Sequence, residues 1–241
     1  MTTIPTETPT IESITDHART NAVLFDMDGV ILEGYGTNPE VHARALRDAA
    51  TDFELDIERL ESAVESTGAL ENYEYTEAFA SACDRLGLDA TELYACREAY
   101  SAERSIDRIR SGKRSLYPDA DIVTELAKRC PTALISNNYD PTVSFVVDHF
   151  GLEAFSFVRG RDLGVEGFRR RKPEPYYLNE AIDALDLEGG LYVGDRETDL
   201  LAASRAGLVP VLIRRPHNES LEPTIDSYLE IDSLTELLEL I

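Results

Sequence analysis

Long apolar stretches are missing from this 241-residue sequence. No uninterrupted apolar run approaches the roughly 20 residues of a membrane-spanning helix, so we expect no membrane span. The first 20 residues have neither the basic start nor the apolar middle of a secretory signal peptide. They predict a polar tail over 1–20, with room for a short helix around 11–17, on a cytoplasmic protein.

Cysteine is scarce. Cys83, Cys96 and Cys130 are the three cysteines, and no two of them form a C-x-x-C pair. An odd and sparse set excludes a disulfide framework and argues against a zinc site. We expect reduced thiols, as in a cytoplasm.

Basic residues are few: 23 Lys and Arg stand against 46 Asp and Glu, a net charge of −23. Nucleic acid is therefore not expected as a partner. Lysine is the rarer basic residue, found only at Lys113, Lys128 and Lys172. Dispersed acid with scarce lysine resembles the proteins of salt-loving archaea, where molar salt shortens the Debye length to about 3 Å. An ordinary acidic mesophilic protein is the alternative.

Apolar runs and helical patterns alternate over most of the chain. The predicted strands are 22–25, 132–135, 154–158, 191–193 and 209–213. The predicted helices between and after them are 118–129, 141–150, 173–185, 198–206 and 233–240. This alternation predicts an α/β fold, a doubly wound parallel sheet that is covered by helices on both faces.

Residues 39–112 form an interruption that reads as helix only. It begins at Asn38-Pro39, a capping residue followed by a first-turn proline, and contains Asp89 and Glu92 at capping-box spacing. We therefore predict a core domain formed by 21–37 and 114–241, into which a helical domain, 38–113, is inserted.

Polar side chains follow three of the predicted strands. Asp26 and Asp28 follow the first, Ser136 the second, and Asp195 a later one. The carboxyl ends of parallel strands share one edge, where such sheets bind ligands. Crowded carboxylates are tolerable around Mg²⁺, which prefers oxygen ligands, so we expect Asp26 and Asp195 to hold one. A solvated acidic loop is one alternative. A calcium-binding loop is another, but the D-x-[DN]-x-[DN]-G pattern of such a loop, with its distant glutamate, is missing.

Four strings carry a family resemblance in their order along the chain: FDMDG, ALISNN, RRRKPEP and YVGDRETD. They resemble the four motifs of the haloacid dehalogenase superfamily. YPDADIVTELAKR and KPEPYYLNEAIDALDL are similar to its phosphoglycolate phosphatase and phosphoglucomutase branches. The resemblance implies that the helical insertion is a C1 cap, with Gly34 and Gly36 at its hinge.

The resemblance also implies a role for each motif residue. Asp26 would be the nucleophile that forms an aspartyl-phosphate. Asp28 would be general acid and then general base, and its backbone carbonyl would be a metal ligand. Ser136 and the backbone N–H of Asn137 would bind the phosphoryl oxygens, and Lys172 would neutralise charge on nucleophile and phosphate.

The fourth motif would complete the magnesium site. Asp195 would bind Mg²⁺ directly, and Asp199 would act through water or orient Lys172. Gly29 and Gly194 would be supporting residues, since Gly29 allows a sharp turn after Asp28. Lys172 is also notable without the resemblance, because lysine is rare in this arginine-rich chain. Its ammonium group is a compact point charge, which the planar guanidinium group of arginine cannot replace.

The expected activity is that of a Mg²⁺-dependent phosphatase acting on a small phosphate ester, as a monomer or homodimer. Asp28 argues against a dehalogenase, and the absence of a cap lysine before Lys113 argues against a phosphonatase. A phosphomutase and a non-catalytic binding protein on the same fold stay open.

Several basic and cap residues are candidates for substrate contact, with packing, solvation or local ion pairs as alternative roles. These are Glu33, Tyr35, His42, Arg44, Arg47 and the run Arg169, Arg170 and Arg171.

Overall fold

The computed structural model describes residues 21–34, 36, 38–56, 58–59, 62–63 and 73–241. The predicted helix around 11–17, Tyr35, and residues 57, 60–61 and 64–72 of the predicted helical stretch therefore lie outside the described residues. Among the described residues, no helix is both long and apolar enough to cross a membrane.

Six parallel strands form one sheet in the order β3-β2-β1-β4-β5-β6. The strands are β1 (Val23–Phe25), β2 (Thr132–Tyr139), β3 (Phe157–Arg161), β4 (Leu191–Gly194), β5 (Val209–Ile213) and β6 (Leu229–Ile231). The chain proceeds from β1 towards one edge and returns to place β4 on the other side of β1. That reversal leaves a crevice at the carboxyl ends of β1, β2 and β4, so the predicted fold class is confirmed.

Helices cover both faces of the sheet. They are α4 (Ile122–Leu126), α5 (Asp140–Phe150), α7 (Tyr176–Leu185), α8 (Glu197–Arg205) and a 3₁₀ helix (Leu234–Glu239). A further short helix, α6 (Gly164–Arg169), follows β3. Alternate residues of β1 enter opposite clusters: Val23 and Phe25 pack on one face, Leu24 on the other. The central strands are consequently apolar at consecutive positions, as expected of a sheet buried on both faces.

Among the described residues, three further helices lie between β1 and β2: α1 (Pro39–Asp52), α2 (Glu77–Leu86) and α3 (Ala90–Arg110). Side chains cap each of them: Asn38 accepts from the Val41 N–H, Thr76 caps α2 and Asp89 caps α3. They pack around their own apolar cluster, which Val165 and Phe168 of α6 join. We call these three helices the helical unit.

The boundaries of several elements differ from the predicted ones. Strand β3 begins at Phe157, three residues later than predicted, and β2 continues to Tyr139. The helix predicted over 118–129 is regular only over Ile122–Leu126, and the C-terminal helix is 3₁₀. Helix α6 and strand β6 were not predicted.

Candidate active site

The carboxyl ends of β1, β2 and β4 surround one cavity between the sheet and the helical unit. Its lining includes residues of all four sequence motifs: Asp26, Asp28, Ser136, Asn137, Lys172 and Asp199. On the opposite wall lie His42 and Tyr73. The topology thus brings together residues that are separated by up to 173 positions in the chain.

Lys172 lies at the centre of the charged groups. Its Nζ is 2.8 Å from Asp26 Oδ1 and 2.7 Å from Asp199 Oδ1, and its side chain is 2% exposed. Burial disfavours the ammonium, but the carboxylates of Asp199 and Asp26 outweigh burial and hold the pKa of Lys172 well above its usual value. Lys172 is therefore a fixed positive charge beside Asp26.

Neighbouring groups fix the position of Lys172. The Asn137 side chain accepts from the Lys172 backbone N–H at 2.8 Å and donates to its carbonyl oxygen at 3.1 Å. Lys172 Nζ also donates to Tyr192 Oη at 2.6 Å, and that hydroxyl donates to the Ile135 carbonyl oxygen at 2.9 Å. Each donor of this buried arrangement has an acceptor, which restricts the ammonium to one place.

Three buried carboxylates meet next to Lys172. Asp26, Asp195 and Asp199 each offer an oxygen, and these oxygens lie within 4.8 Å of one another. Burial, together with the negative charges of Asp199 and Asp26, raises the pKa of Asp195 to about 8. So close a group of carboxylates opposes its own ionisation unless positive charge is added.

The donor set fits Mg²⁺. Asp195 Oδ1 is buried with no hydrogen-bond donor among the described residues, and Asp26 Oδ1 is buried with the Lys172 ammonium 2.8 Å away. Asp199 differs, since Oδ1 pairs with Lys172 and Oδ2 accepts from the backbone N–H groups of Asp195 and Arg196. Asp26 and Asp195 are thus the better placed carboxylate ligands, while Asp199 holds Lys172 and the start of α8.

Close backbone approaches shape this cluster. Gly29 has φ +84°, and a Cβ atom there would lie 2.2 Å from Asp195 Oδ2. A Cβ atom at Gly194 would lie 2.2 Å from the Asp199 Cβ. Both glycines therefore admit a carboxylate that a larger residue would displace.

His217 is a neighbour of Asp195 that the sequence did not indicate. Its Nε2 lies 2.6 Å from Asp195 Oδ2, and burial, with Arg196 and Arg215 nearby, lowers its pKa. Asn218 donates to the Asp195 carbonyl oxygen at 2.8 Å. Both residues follow β5. A search for polar residues after this strand, like the one made after β1, β2 and β4, would have found them.

Asp28 turns away from the carboxylate cluster. Its Oδ1 lies 2.7 Å from Arg114 Nη2, and its Oδ2 accepts from Asn138 Nδ2 at 2.9 Å. The carboxylate of Asp28 is therefore engaged elsewhere, and only its backbone carbonyl is left for the expected metal contact. Arg114 and Asn138 were not among the predicted site residues, because nothing in their local sequence links them to Asp28.

Ser136 and Asn137 lie in the last half of β2, with Ser136 2% exposed. Ser136 Oγ accepts from the Asn138 backbone N–H at 3.2 Å, which fixes the hydroxyl at the cavity. Polar groups of β2 therefore face the same space as Asp26 and Lys172.

His42 is buried on α1 and lines the cavity from the helical unit. Its Nδ1 lies 3.2 Å from Ser101 Oγ, and its buried Nε2 has no hydrogen-bond partner among the described residues. Burial first, and then the charges of Arg97 and Arg161, lower the pKa of His42 to about 4. The ring is thus a neutral polar group at neutral pH.

The other candidates for substrate contact differ in whether they line the cavity. Arg171 lines the cavity and pairs with Glu74, whereas Arg169 pairs with Glu166 and Arg170 lies over the Tyr176 ring. Arg44 is exposed and pairs with Glu40. Glu33 and Arg47 are exposed as well, and Glu33 accepts from Ser115.

A family model described as haloacid dehalogenase-like hydrolase matches residues 20–207. The chain belongs to the haloacid dehalogenase-like hydrolases. The predicted family is therefore confirmed, and the match spans β1 to the end of α8 with all four motifs.

Curated relatives of the chain carry phosphatase names. It is 27% identical over 238 residues to the glyceraldehyde 3-phosphate phosphatase of Methanopyrus kandleri, covering 91% of this chain and 96% of the relative. It is 36% identical over 100 residues to a phosphoglycolate phosphatase of Rhodobacter capsulatus, covering 39% and 42% of the two chains.

Solved structures agree with the fold. The chain is similar to CbbY from Rhodobacter sphaeroides in complex with phosphate, with a TM-score of 0.58, 20% identity and coverage of 90% and 96% of the two chains. A predicted phosphoglycolate phosphatase from Haemophilus somnus gives a TM-score of 0.57 at 18% identity, covering 93% and 99%. At these identities the comparison bears on the fold alone.

Proposed function

We propose that this enzyme is a Mg²⁺-dependent phosphatase that hydrolyses a small organic phosphate monoester through a phosphorylated Asp26. The observation that carries the proposal is the convergence of Asp26, Ser136, Lys172 and Asp199 on one cavity, with the Asp195 carboxylate beside Asp26 and Asp199. The phosphatase names of two relatives support it.

In the first half of the reaction, an Asp26 carboxylate oxygen attacks phosphorus. A bond forms between that oxygen and phosphorus while the bond from phosphorus to the leaving oxygen breaks. Asp28 gives a proton to the leaving oxygen, which departs as an alcohol. Lys172 neutralises charge on the transferred group, and Ser136 and the Asn137 backbone N–H bind its oxygens.

In the second half, a water oxygen attacks the phosphorus of the phosphorylated Asp26. Asp28 takes a proton from that water, and the bond between phosphorus and Asp26 breaks. Inorganic phosphate and the starting carboxylate are the products, so every atom and proton is accounted for. Lys172 keeps its contact with Asp199 throughout, which holds the charge in place when Asp26 is esterified.

Magnesium would be held by the carboxylates of Asp26 and Asp195 and the backbone carbonyl of Asp28. When bound, it supplies positive charge that neutralises the carboxylates and the phosphoryl oxygens. This added charge relieves the crowding that raises the pKa of Asp195 to about 8.

We propose that residues 38–113 act as the cap and the remaining sequence from residue 21 as the core. The cavity lies between the two, so that the helical unit covers it and excludes water during transfer. A cavity with His42 and Tyr73 on its cap wall suits a small, polar leaving group better than a polymer.

The decisive experiment measures phosphate release in molar KCl from phosphoglycolate, glyceraldehyde 3-phosphate, sugar phosphates and nucleotides, with Mg²⁺ or with EDTA. We expect turnover only with Mg²⁺. Asp26→Asn keeps the shape of the side chain but removes the nucleophile, and we expect it to lower kcat by at least about 10³-fold. Asp107→Asn, an exposed position on α3, is the matched control.

A trapped analogue of the phosphorylated enzyme tests whether Asp26 is the nucleophile. A soak with magnesium and beryllofluoride should place the trapped group on Asp26. Metal-dependent turnover that survives in Asp26→Asn would contradict the nucleophile assignment. Isomerisation of a sugar phosphate without stoichiometric phosphate release would identify a phosphomutase instead.

A further inference from the structure

Arg114 lies where the chain returns from the helical unit to the sheet, four residues after the end of α3. Its side chain is 10% exposed. Besides the ion pair with Asp28 Oδ1, its Nε donates to the Glu33 carbonyl oxygen at 2.9 Å and its Nη2 to the Gly34 carbonyl oxygen at 3.0 Å. Arg114 therefore joins Asp28 to both chain crossings between sheet and helical unit.

The other carboxylate oxygen of Asp28, Oδ2, also has fixed neighbours. Asn138 donates to Asp28 Oδ2, and the Asn138 Oδ1 accepts from the Tyr139 backbone N–H at 2.8 Å, which fixes the orientation of the amide. Gly36 of the first crossing passes so close that a Cβ atom there would lie 2.2 Å from Asp28 Oδ2. The carboxylate is enclosed between the two crossings and the end of β2.

Holding the crossings together does not require Arg114. The Glu33 N–H donates to the Ser115 carbonyl oxygen at 2.8 Å, and Ser115 Oγ donates to Glu33 Oε2 at 2.7 Å. What Arg114 adds to these contacts is the bond to Asp28. Its planar guanidinium can contact the carboxylate and both carbonyl groups at once, which a lysine ammonium does less well.

We propose that Arg114 is a positioning residue that orients the Asp28 carboxylate for proton transfer. Arg114 holds Oδ1, so Oδ2, which lies against the cavity-lining Gly36 and Asn138, becomes the oxygen that gives and takes the proton. Because Arg114 rests on carbonyl groups of the first crossing, this orientation depends on the placement of the helical unit. The inference rests on the proposed role of Asp28 as acid and base.

Leaving groups of different basicity test this role. An alkyl phosphate needs a proton on its leaving oxygen, whereas 4-nitrophenyl phosphate releases a stable phenolate and needs little acid catalysis. Hydrolysis of phosphorylated Asp26 is common to both esters, so the comparison uses kcat/KM, which covers only the steps up to departure of the leaving group. Misplacing the acid should therefore lower kcat/KM for the alkyl ester and spare that for the aryl ester. A general loss of structure would slow both alike.

The experiment compares kcat and KM on phosphoglycolate and on 4-nitrophenyl phosphate, using the full chain with Mg²⁺ in molar KCl. For Arg114→Ala we expect kcat/KM for phosphoglycolate to fall about 30-fold and kcat/KM for the aryl ester to fall less than about 3-fold. Arg114→Lys should recover part of the loss. The adjacent exposed Lys113→Ala removes the same charge and should leave both substrates unchanged.

Asp28→Asn keeps the inference distinguishable from the function on which it rests. If Asp28→Asn lowers kcat/KM selectively for the alkyl ester but Arg114→Ala lowers kcat/KM for both esters equally, or for neither, the positioning role is wrong and the proposed function stands. If Asp28→Asn shows no selectivity, the acid role of Asp28 fails and the inference fails with it. Thermal unfolding of each variant shows whether a loss follows from misfolding.

Discussion

Gly29 shows at the scale of one residue how the backbone makes room for a carboxylate. Alanine at this position would carry a left-handed backbone at φ +84° and a Cβ atom in the place of Asp195 Oδ2. Backbone strain of about 1–2 kcal/mol lowers the stability of Gly29→Ala, and the added Cβ atom displaces the carboxylate of Asp195. Because Asp195 is an expected ligand, we expect Gly29→Ala to weaken Mg²⁺ binding at least about 10-fold. Activity titrated with Mg²⁺ measures the change.

Gly87 provides the matched control for this prediction. It ends α2 with φ +73°, and nothing lies within 4 Å of a Cβ atom placed there. Gly87→Ala should therefore lose stability from backbone strain alone and keep its Mg²⁺ dependence. If both variants lose Mg²⁺ affinity equally, the close approach to Asp195 is not what Gly29 provides.

His42 gives a second prediction at this scale, one that concerns stability. Its pKa is about 4 in the folded state against an ordinary value of 6.5, so the folded protein resists protonating it. The unfolded state binds more protons in that window, and stability falls as the pH drops from 6.5 to 4, by about 3 kcal/mol at most. Chemical unfolding of wild type and His42→Gln across this window measures the difference.

The carboxylates also titrate in this range, so the comparison between the two proteins carries the result. His42→Gln removes only the imidazole, and its stability should decline less steeply with acid. Parallel curves for the two proteins would mean that His42 takes up its proton in the folded state.

At the scale of elements, one buried ion pair joins α3 to β3. Glu98 of α3 is fully buried, with Oε1 2.5 Å from Arg161 Nη2 and Oε2 accepting from the Gly164 backbone N–H at 2.6 Å. Glu98→Ala leaves the Arg161 charge and this N–H without their acceptor. We expect the free energy of unfolding to drop by about 3–5 kcal/mol, measured in urea.

A double-mutant cycle tests whether the pair is the cause. Replacing both Glu98 and Arg161 by leucine removes the uncompensated charge, so the double variant should be more stable than the sum of the single losses predicts. Strict additivity of Glu98→Leu and Arg161→Leu would show that the two residues act independently.

The predictability of the elements follows from how each one is buried. The strands β1, β4 and β5 are short apolar runs buried on both faces, and their limits lie within one residue of the predicted ones. Strand β3 was placed too early because Phe155, which packs against Phe25, is apolar without being part of the strand. Strand β6 has three residues with one exposed, too few for a pattern to show.

Local motifs predict one part of the candidate site and miss another part. Asp26, Lys172 and Asp199 carry local motifs, and the structure places them in contact, while their catalytic roles stay predictions. Arg114, which contacts Asp28, belongs to no motif, and Tyr192, although it begins the string YVGDRETD, has no local signal of its contact with Lys172. Such contacts arise from the relative placement of whole elements, which local patterns do not encode.

At the scale of the whole molecule, the net charge of −23 is the dominant property. At low ionic strength the acidic residues repel one another in the compact state, while at molar salt a Debye length of about 3 Å screens all but the nearest pairs. The buried pairs of Lys172 and Arg161 are largely shielded from this screening. Salt should therefore stabilise the protein without weakening its site.

We expect the melting temperature to rise by about 5 °C or more between low and molar KCl, because relief of self-repulsion exceeds the loss of exposed ion pairs. The control replaces three exposed acids on three helices: Asp84→Asn, Glu103→Gln and Asp183→Asn. With less repulsion to screen, this variant should be more stable at low salt and respond less to KCl. If its melting temperature rises with KCl as steeply as that of the wild type, salt acts through something other than the dispersed negative charge.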